Sequence, residues 1–330
     1  MSVTRGGFSS NQRLDTYTCQ SNMSRIDVMR AFSWLAFPIS MMNPIGLNYA
    51  YWNPRWDADP LPFVGLTRSC GFDILEINAQ NILRMTDKER DVRKTAAEDA
   101  GLSYTYIGGV TPDTDLASEV RTIRKQGIKF LSDQAQAVSK MGGSLLSGVL
   151  HSSWGQRLPL GKDRRALTDH SVEAMREAIK AAEDCGVIFG LEVVNRFEHY
   201  MINTAADGVS FVEQVGSPSC KLLLDTFHMN IEEDNLRDAI VKAGKWLAHF
   251  HVGETNRRPP GRGRIPWPEV FAALDEIKFQ GPIVMEPFIT PEGDTLREMP
   301  VYRDLLGDAK LDEEASRSLE FLRSALKKYG

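Results

Sequence analysis

The stretch LLLDTFHMNIEED, residues 222–234, opens as an apolar strand, then sets Asp225 and His228 three residues apart and runs on into acid. Groups of this kind are costly to bury unless they are paired or put to use. The stretch therefore reads as a strand that delivers polar side chains to one end of a sheet. The same design recurs along the chain. Strand-like runs occur at 45–52 (IGLNYAYW), 72–79 (FDILEINA), 103–110 (SYTYIGGV), 144–151 (SLLSGVLH), 187–194 (VIFGLEVV), 221–228 (KLLLDTFH), 247–254 (LAHFHVGE) and 282–288 (PIVMEPF). Between them lie stretches such as LASEVRTIRKQGIKFLSDQAQAVSKMG and HSVEAMREAIKAAEDCG, whose apolar residues recur at three and four, the spacing of an amphipathic helix. Gly71, Gly101, Gly142 and Gly186 each stand just before a strand, where a left-handed residue ends the preceding helix. Eight strands alternating with helices predict an α/β chain closed as a single (β/α)8 TIM barrel, a fold of about 250 residues.

The bounds agree with one large catalytic domain over residues 44–330. The chain has 330 residues, 42% of them hydrophobic, enough to bury a large core. A formal net charge of −5 supplies no basic field for a nucleic-acid backbone, so a polyanion is not the expected partner. Cys19, Cys70, Cys185 and Cys220 form no CxxC pair, which points away from a disulfide framework or zinc knuckle and toward a reducing, cytoplasmic setting. Residues 1–43, rich in Ser, Thr, Asn and Gln, show no period and are expected to form a loosely ordered extension, with Met41 or Met42 as the natural start. The apolar run AFSWLAFPISMM (31–42) is too short to span a bilayer, and no membrane partner is expected; a targeting segment is the other reading of this region.

In such a barrel the C-terminal ends of the strands face the active site. Strands five to eight end in LEVVNRFE, LDTFH, HFHVGE and VMEPF, which puts Glu192, Asp225, His251 and Glu286 near the rim on four successive strands. A lone acid at a strand end is usually a cap or an ion-pair partner, but four in succession are hard to explain that way. Three converging carboxylates repel one another unless a cation sits among them. With one imidazole they form a mostly hard donor set suited to Mn²⁺, Mg²⁺ or Co²⁺. His249 is assigned the opposite side of the pleat from His251 and a hydrogen-bonded structural role. The run TDKERDVRK (86–94) reads as a solvated helix face, whereas RRPPGRGR (257–264), following strand seven, overhangs the mouth and sends one Arg inward.

LEVVNRFEHYMINTAADGV, LLDTFHMNIEED, HFHVGETNRRPPGRGRIPW and VMEPF together closely resemble the ketose 3-epimerases of the D-tagatose and D-psicose type, within the xylose-isomerase-like barrels. The likeness runs from about Asn43 through YAYW and GFDILEI to the eighth strand. It implies that Glu192, Asp225, His251 and Glu286 are metal ligands, with Mn²⁺ expected ahead of Co²⁺ and Mg²⁺, and that Glu192 and Glu286 double as the acid–base pair. It implies sugar-binding roles for Glu198, His228 and Arg257, and pocket-lining positions for Gly109 and Trp154. It further implies a free ketose substrate, inverted at C3 through an enediolate by a base on one face and an acid on the other, and a homodimer or homotetramer.

One position departs from the family pattern. Asn48 stands just before YAYW, where the family usually presents an aromatic residue, and an amide there either bonds a distal hydroxyl or enlarges the pocket. Three other readings are weighed. An aldose–ketose isomerase of the hydroxypyruvate-isomerase type would use similar ligands, but NRFEHYMINT and GETNRRPPGRG look more like the epimerases. An apurinic endonuclease of the superfamily needs a histidine-rich zinc cluster, which six His in the whole chain do not favour. A non-catalytic sugar-binding barrel would have no need of acids on both faces.

Overall fold

The computed structural model describes residues 43–329, so all of the 1–43 extension except Asn43 lies outside the described residues. Eight strands, β1 (Ile45–Asn48), β2 (Ile74–Asn78), β3 (Ser103–Val110), β4 (Leu145–Ser153), β5 (Ile188–Val193), β6 (Cys220–Asp225), β7 (Leu247–Val252) and β8 (Ile283–Met285), alternate with helices. Each strand pairs in parallel with the next, and β1 pairs with β8, closing the barrel in sequence order. The predicted (β/α)8 barrel is the observed fold. Apart from β3, which is only partly covered, its strands are buried on both faces, the reason they read as near-continuous apolar runs rather than alternating ones.

Glycine ends the helices where the sequence predicts. Gly186 caps the helix Arg164–Cys185 at φ 68°, and Gly71, Gly101 and Gly142 stand one residue past the caps of three others, all with positive φ. The helix carrying TDKERDVRK (Asp87–Asp99) is closed at its start by a Thr86–Glu89 capping box; Asp87, Lys88, Glu89 and Asp91 face solvent as expected, whereas Arg90 folds back onto the Ile82 and Met85 carbonyls and Arg93 is largely covered. Two strands are cut short by a polar residue within their runs. β1 stops at Asn48, whose side chain accepts from the Ala50 N–H and starts a 3-10 turn, and β6 stops at Asp225, whose side chain accepts from the Phe227 N–H and starts the helix Thr226–Glu232. His228 thus stands on that helix and not on the strand. At the closing seam Asn43 Nδ2 donates to the carbonyls of Phe279 and Gly281, which ties the entry of β1 to the turn before β8.

Candidate active site

β5, β6, β7 and the residue following β8 bring Glu192, Asp225, His251 and Glu286 to one point, each offering a donor atom within 4.8 Å of the others. Strand pairing sets part of this directly, since Asp225 and His251 are register partners across β6 and β7. Glu286 follows at the end of β8 and donates its N–H to the Val252 carbonyl, which keeps it level with them. All four are buried. Burial, with Glu192 beside it, pushes the Glu286 carboxyl above its ordinary value despite the opposing pull of His251.

The residues assigned to sugar binding converge on the same place. His228, one helical turn beyond Asp225, accepts at Nδ1 from the backbone N–H of Asn195 at 3.3 Å, with the Asn195 amide 2.7 Å away. That leaves its Nε2–H facing Glu192 Oε1 at 3.5 Å. Glu198 accepts from Asn195 Nδ2 at 2.9 Å and from Trp154 Nε1 at 3.2 Å. Although burial opposes it, the charges of His228 and Arg257 hold this carboxyl below its ordinary value. Arg257 comes inward from the loop after β7, as RRPPGRGR predicts. Its guanidinium lies over the Phe227 ring at 3.8 Å, donates from Nη1 to Asp225 Oδ2 at 3.1 Å, and sits 3.5 Å from Glu286 Oε2 and 3.6 Å from Glu198 Oε1. A cavity of about 610 Å³ opens here, lined by Glu192, Glu286, Glu198, His228, Arg257, Gly109 and Trp154. Its size is that of a small-molecule site. Asp225 and His251 lie behind its wall.

Below this cluster is a feature that sequence reasoning missed. Glu76 on β2, fully buried, lies 2.9 Å from His251 Nε2 and 3.3 Å from His249 Nε2. It also accepts from Asn48 Nδ2 at 3.2 Å and Thr105 Oγ1 at 3.0 Å. Burial opposes its ionisation, but the His251 imidazole, foremost among its partners, outweighs that effect and brings its pKa down to about 2. The expected opposite facing of the two histidines is corrected: residues two apart on a strand share a face, and the rings stand 4.6 Å apart against one carboxylate. The structural role assigned to His249 fits its contact with Ser147 Oγ at 3.0 Å, and burial brings its pKa down to about 3, so the ring is neutral. His251 behaves oppositely, its pKa raised against burial by Glu76 and Glu286. The acid in the apolar run FDILEINA marks the position, but only its contact with His251 gives it a role.

Two groupings could therefore hold a cation: Glu76, His249 and His251, or Glu192, Asp225, His251 and Glu286. The first is closed. Both Glu76 oxygens already accept hydrogen bonds, Glu76 and the two histidines are 0% exposed, and no position is left for a substrate. The second fits a divalent cation. It supplies three carboxylates and an imidazole, two of its members line the cavity, and the buried His251 Nδ1, 3.4 Å from Glu286 Oε2, has no aligned hydrogen-bond partner. Asn48 lines the same cavity, and its amide is held from inside the protein: Oδ1 accepts from the Ala50 N–H and Nδ2 donates to Glu76.

The family model described as a xylose isomerase-like TIM barrel matches residues 64–325. A D-psicose 3-epimerase of Ruminiclostridium cellulolyticum is 42% identical over 284 residues, 85% of this chain and 97% of the relative. An L-ribulose 3-epimerase of a Methylomonas species is 31% identical, covering 88% of this chain and 99% of the relative. Among solved structures, that of D-psicose 3-epimerase with D-tagatose from Clostridium cellulolyticum H10 superposes with a TM-score of 0.84 at 42% identity, over 86% of this chain and 99% of that one. No helix among the described residues is long and apolar enough to cross a membrane.

Proposed function

Because this chain belongs to the xylose isomerase-like TIM-barrel family and, within it, to the ketose 3-epimerases, we propose that it inverts the C3 configuration of a free ketose. The observation that carries the reading is the pair of carboxylates Glu192 and Glu286, delivered from β5 and the end of β8 to the wall of a single cavity that also holds Arg257, His228 and Glu198. Inversion beside a carbonyl needs a base on one face of the carbon and an acid on the other. Glu192 removes the C3 proton of one epimer while Glu286 protonates the opposite face, and the roles exchange in reverse. The raised pKa of Glu286 suits a group that must both hold and release a proton.

Glu192, Asp225, His251 and Glu286 would hold one divalent metal ion, for which we propose Mn²⁺ from the hard donor set. When bound, the metal supplies the positive charge that makes a proton next to the ketone removable. Arg257, clamped over Phe227, and the Nε2–H of His228 orient the sugar oxygens at the carbonyl end, with Glu198 as an acceptor beside them. Trp154 and Gly109 shape the wall. A homodimer or homotetramer is proposed with this reading. The test is incubation of the metal-loaded protein with D-fructose, D-tagatose and L-ribulose, with products resolved by chromatography. A C3 epimer supports the reading; an aldose product would assign the isomerase instead, and no product from any ketose would overturn both.

A further inference from the structure

Glu254 is fully buried in the loop after β7, yet no chemistry proposed for the site uses it. Among the described residues its carboxylate makes no ion pair with a cation. It accepts instead from three donors of its own segment: the Gly261 N–H at 2.7 Å, Trp267 Nε1–H at 3.0 Å and the Ile265 N–H at 3.4 Å. The chain passes so close that a Cβ on Gly263 would lie 1.9 Å from Glu254 Oε2. The Glu254 backbone closes the other limb. Its N–H donates to the Arg258 carbonyl and its carbonyl accepts from the Arg257 N–H, both at 2.9 Å. Residues 254–267 are therefore wound around this one side chain.

Arg257 sits inside that winding with φ 64°, a left-handed backbone that disfavours any residue with a Cβ. Such a conformation persists where the surroundings over-determine it, and it is found where a functional side chain must be aimed. Here the aim is narrow. The guanidinium has to lie flat on Phe227 while its two terminal nitrogens reach Asp225, Glu286 and Glu198. Arg258, with an ordinary backbone, is left outside the site.

We propose that Glu254 is a positioning residue for ketose binding: its buried carboxylate holds the 254–267 loop in the one conformation that places Arg257 over the cavity. The proposal rests on the epimerase reading above. Glu254→Gln keeps the shape but turns an N–H₂ toward backbone donors, so the loop loses part of its anchor.

The test is a double-mutant cycle on metal-loaded protein with Glu254→Gln, Arg257→Ala and both together, with hydrogen exchange followed across 254–267. If Arg257 moves by about an ångström, kcat/KM should fall by up to roughly a hundredfold in the single Glu254 variant. In the Arg257→Ala background the same change should cost less than about twofold. Metal content should stay stoichiometric, while the Gly261 and Ile265 amides should exchange faster. An equal loss in both backgrounds, or unchanged kcat/KM, overturns the proposal. Should Glu254→Gln fail to fold, Gly263→Ala displaces the carboxylate by contact and should give the same pattern. If the wild-type protein turns over no ketose, the epimerase reading fails, and the exchange data alone decide the loop: retained protection of both amides in the variant overturns the anchor.

Discussion

Glu76 offers the sharpest test of the buried electrostatics. Its carboxyl is brought from an ordinary 4.5 to about 2 in the fold. His249 is neutral, so the charge that outweighs burial is that of His251, whose own pKa is raised. Glu76→Gln stands close to Glu76 with its proton on, because it keeps the volume and one acceptor and removes the charge. A difference of two to three units corresponds to roughly 3 kcal/mol. The sign follows from linkage. A carboxyl with a depressed pKa stabilises the fold fully above its unfolded value and loses that contribution as pH falls through its folded value. Metal-free Glu76→Gln should therefore unfold in urea with roughly 3 kcal/mol less stability than wild type near about pH 7, the gap narrowing to about 1 kcal/mol near about pH 3. Equal stability at neutral pH, or a gap that does not change with pH, would refute the assignment of Glu76 as a charged partner. The same variant should bind a divalent metal about tenfold or more weakly by competition titration, since a ligating imidazole is held by the group on its other nitrogen.

Removing metal with a chelator should abolish turnover, and Mn²⁺ or Co²⁺ should restore it better than Ca²⁺, whose preferred shell is larger and looser; full activity in metal-free protein would sink the metal reading. Arg257→Ala should lower kcat/KM on the best ketose while metal content by mass spectrometry stays stoichiometric, and an unimpaired variant would return Arg257 to an ordinary loop residue. Glu286→Gln should lose net epimerisation by several orders of magnitude, yet exchange the C3 proton of one epimer with deuterium under retention, seen by NMR; brisk epimerisation would leave Glu286 only as a ligand. Glu192→Gln should show that exchange with the other epimer.

The barrel was legible because its evidence is local. Each strand is an apolar run, and helices end at glycines that adopt the left-handed conformation. Strand ends were less legible, for one physical reason. The runs IGLNYAYW and KLLLDTFH carry apolar residues on both sides of a change of backbone state, so hydrophobicity cannot locate the change. The boundary is set by Asn48 and Asp225, short polar side chains that bond the N–H two residues on and start a helical turn. The four strand-end donors were readable because four successive strands each carry one. Glu76 was not, since its role depends on contact with His251, which strand pairing around the whole barrel brings within 2.9 Å. The histidine facing was readable and misread, because a period of two places residues 249 and 251 on one side.

Charge balance links these parts. Four buried or nearly buried carboxylates, Glu192, Glu198, Asp225 and Glu286, surround one guanidinium, that of Arg257, and a fifth, Glu76, lies behind them against His251. His228 and His251 can add a charge each, whereas His249 is held neutral. Even with both imidazoles protonated the cluster carries two more negative than positive charges. An interior tolerates such an excess only when a cation or protons compensate it. Protons on the carboxyls would disable the base that C3 chemistry requires. A divalent ion would supply the missing charge while the base of the pair stays ionised and its partner keeps the one proton it delivers, so the acid–base pair and the ligand set can share Glu192 and Glu286. Arg257 then has a second duty besides holding the sugar: its permanent charge beside Asp225 and Glu286 limits the repulsion there, and the loop wound on Glu254 keeps that charge in place.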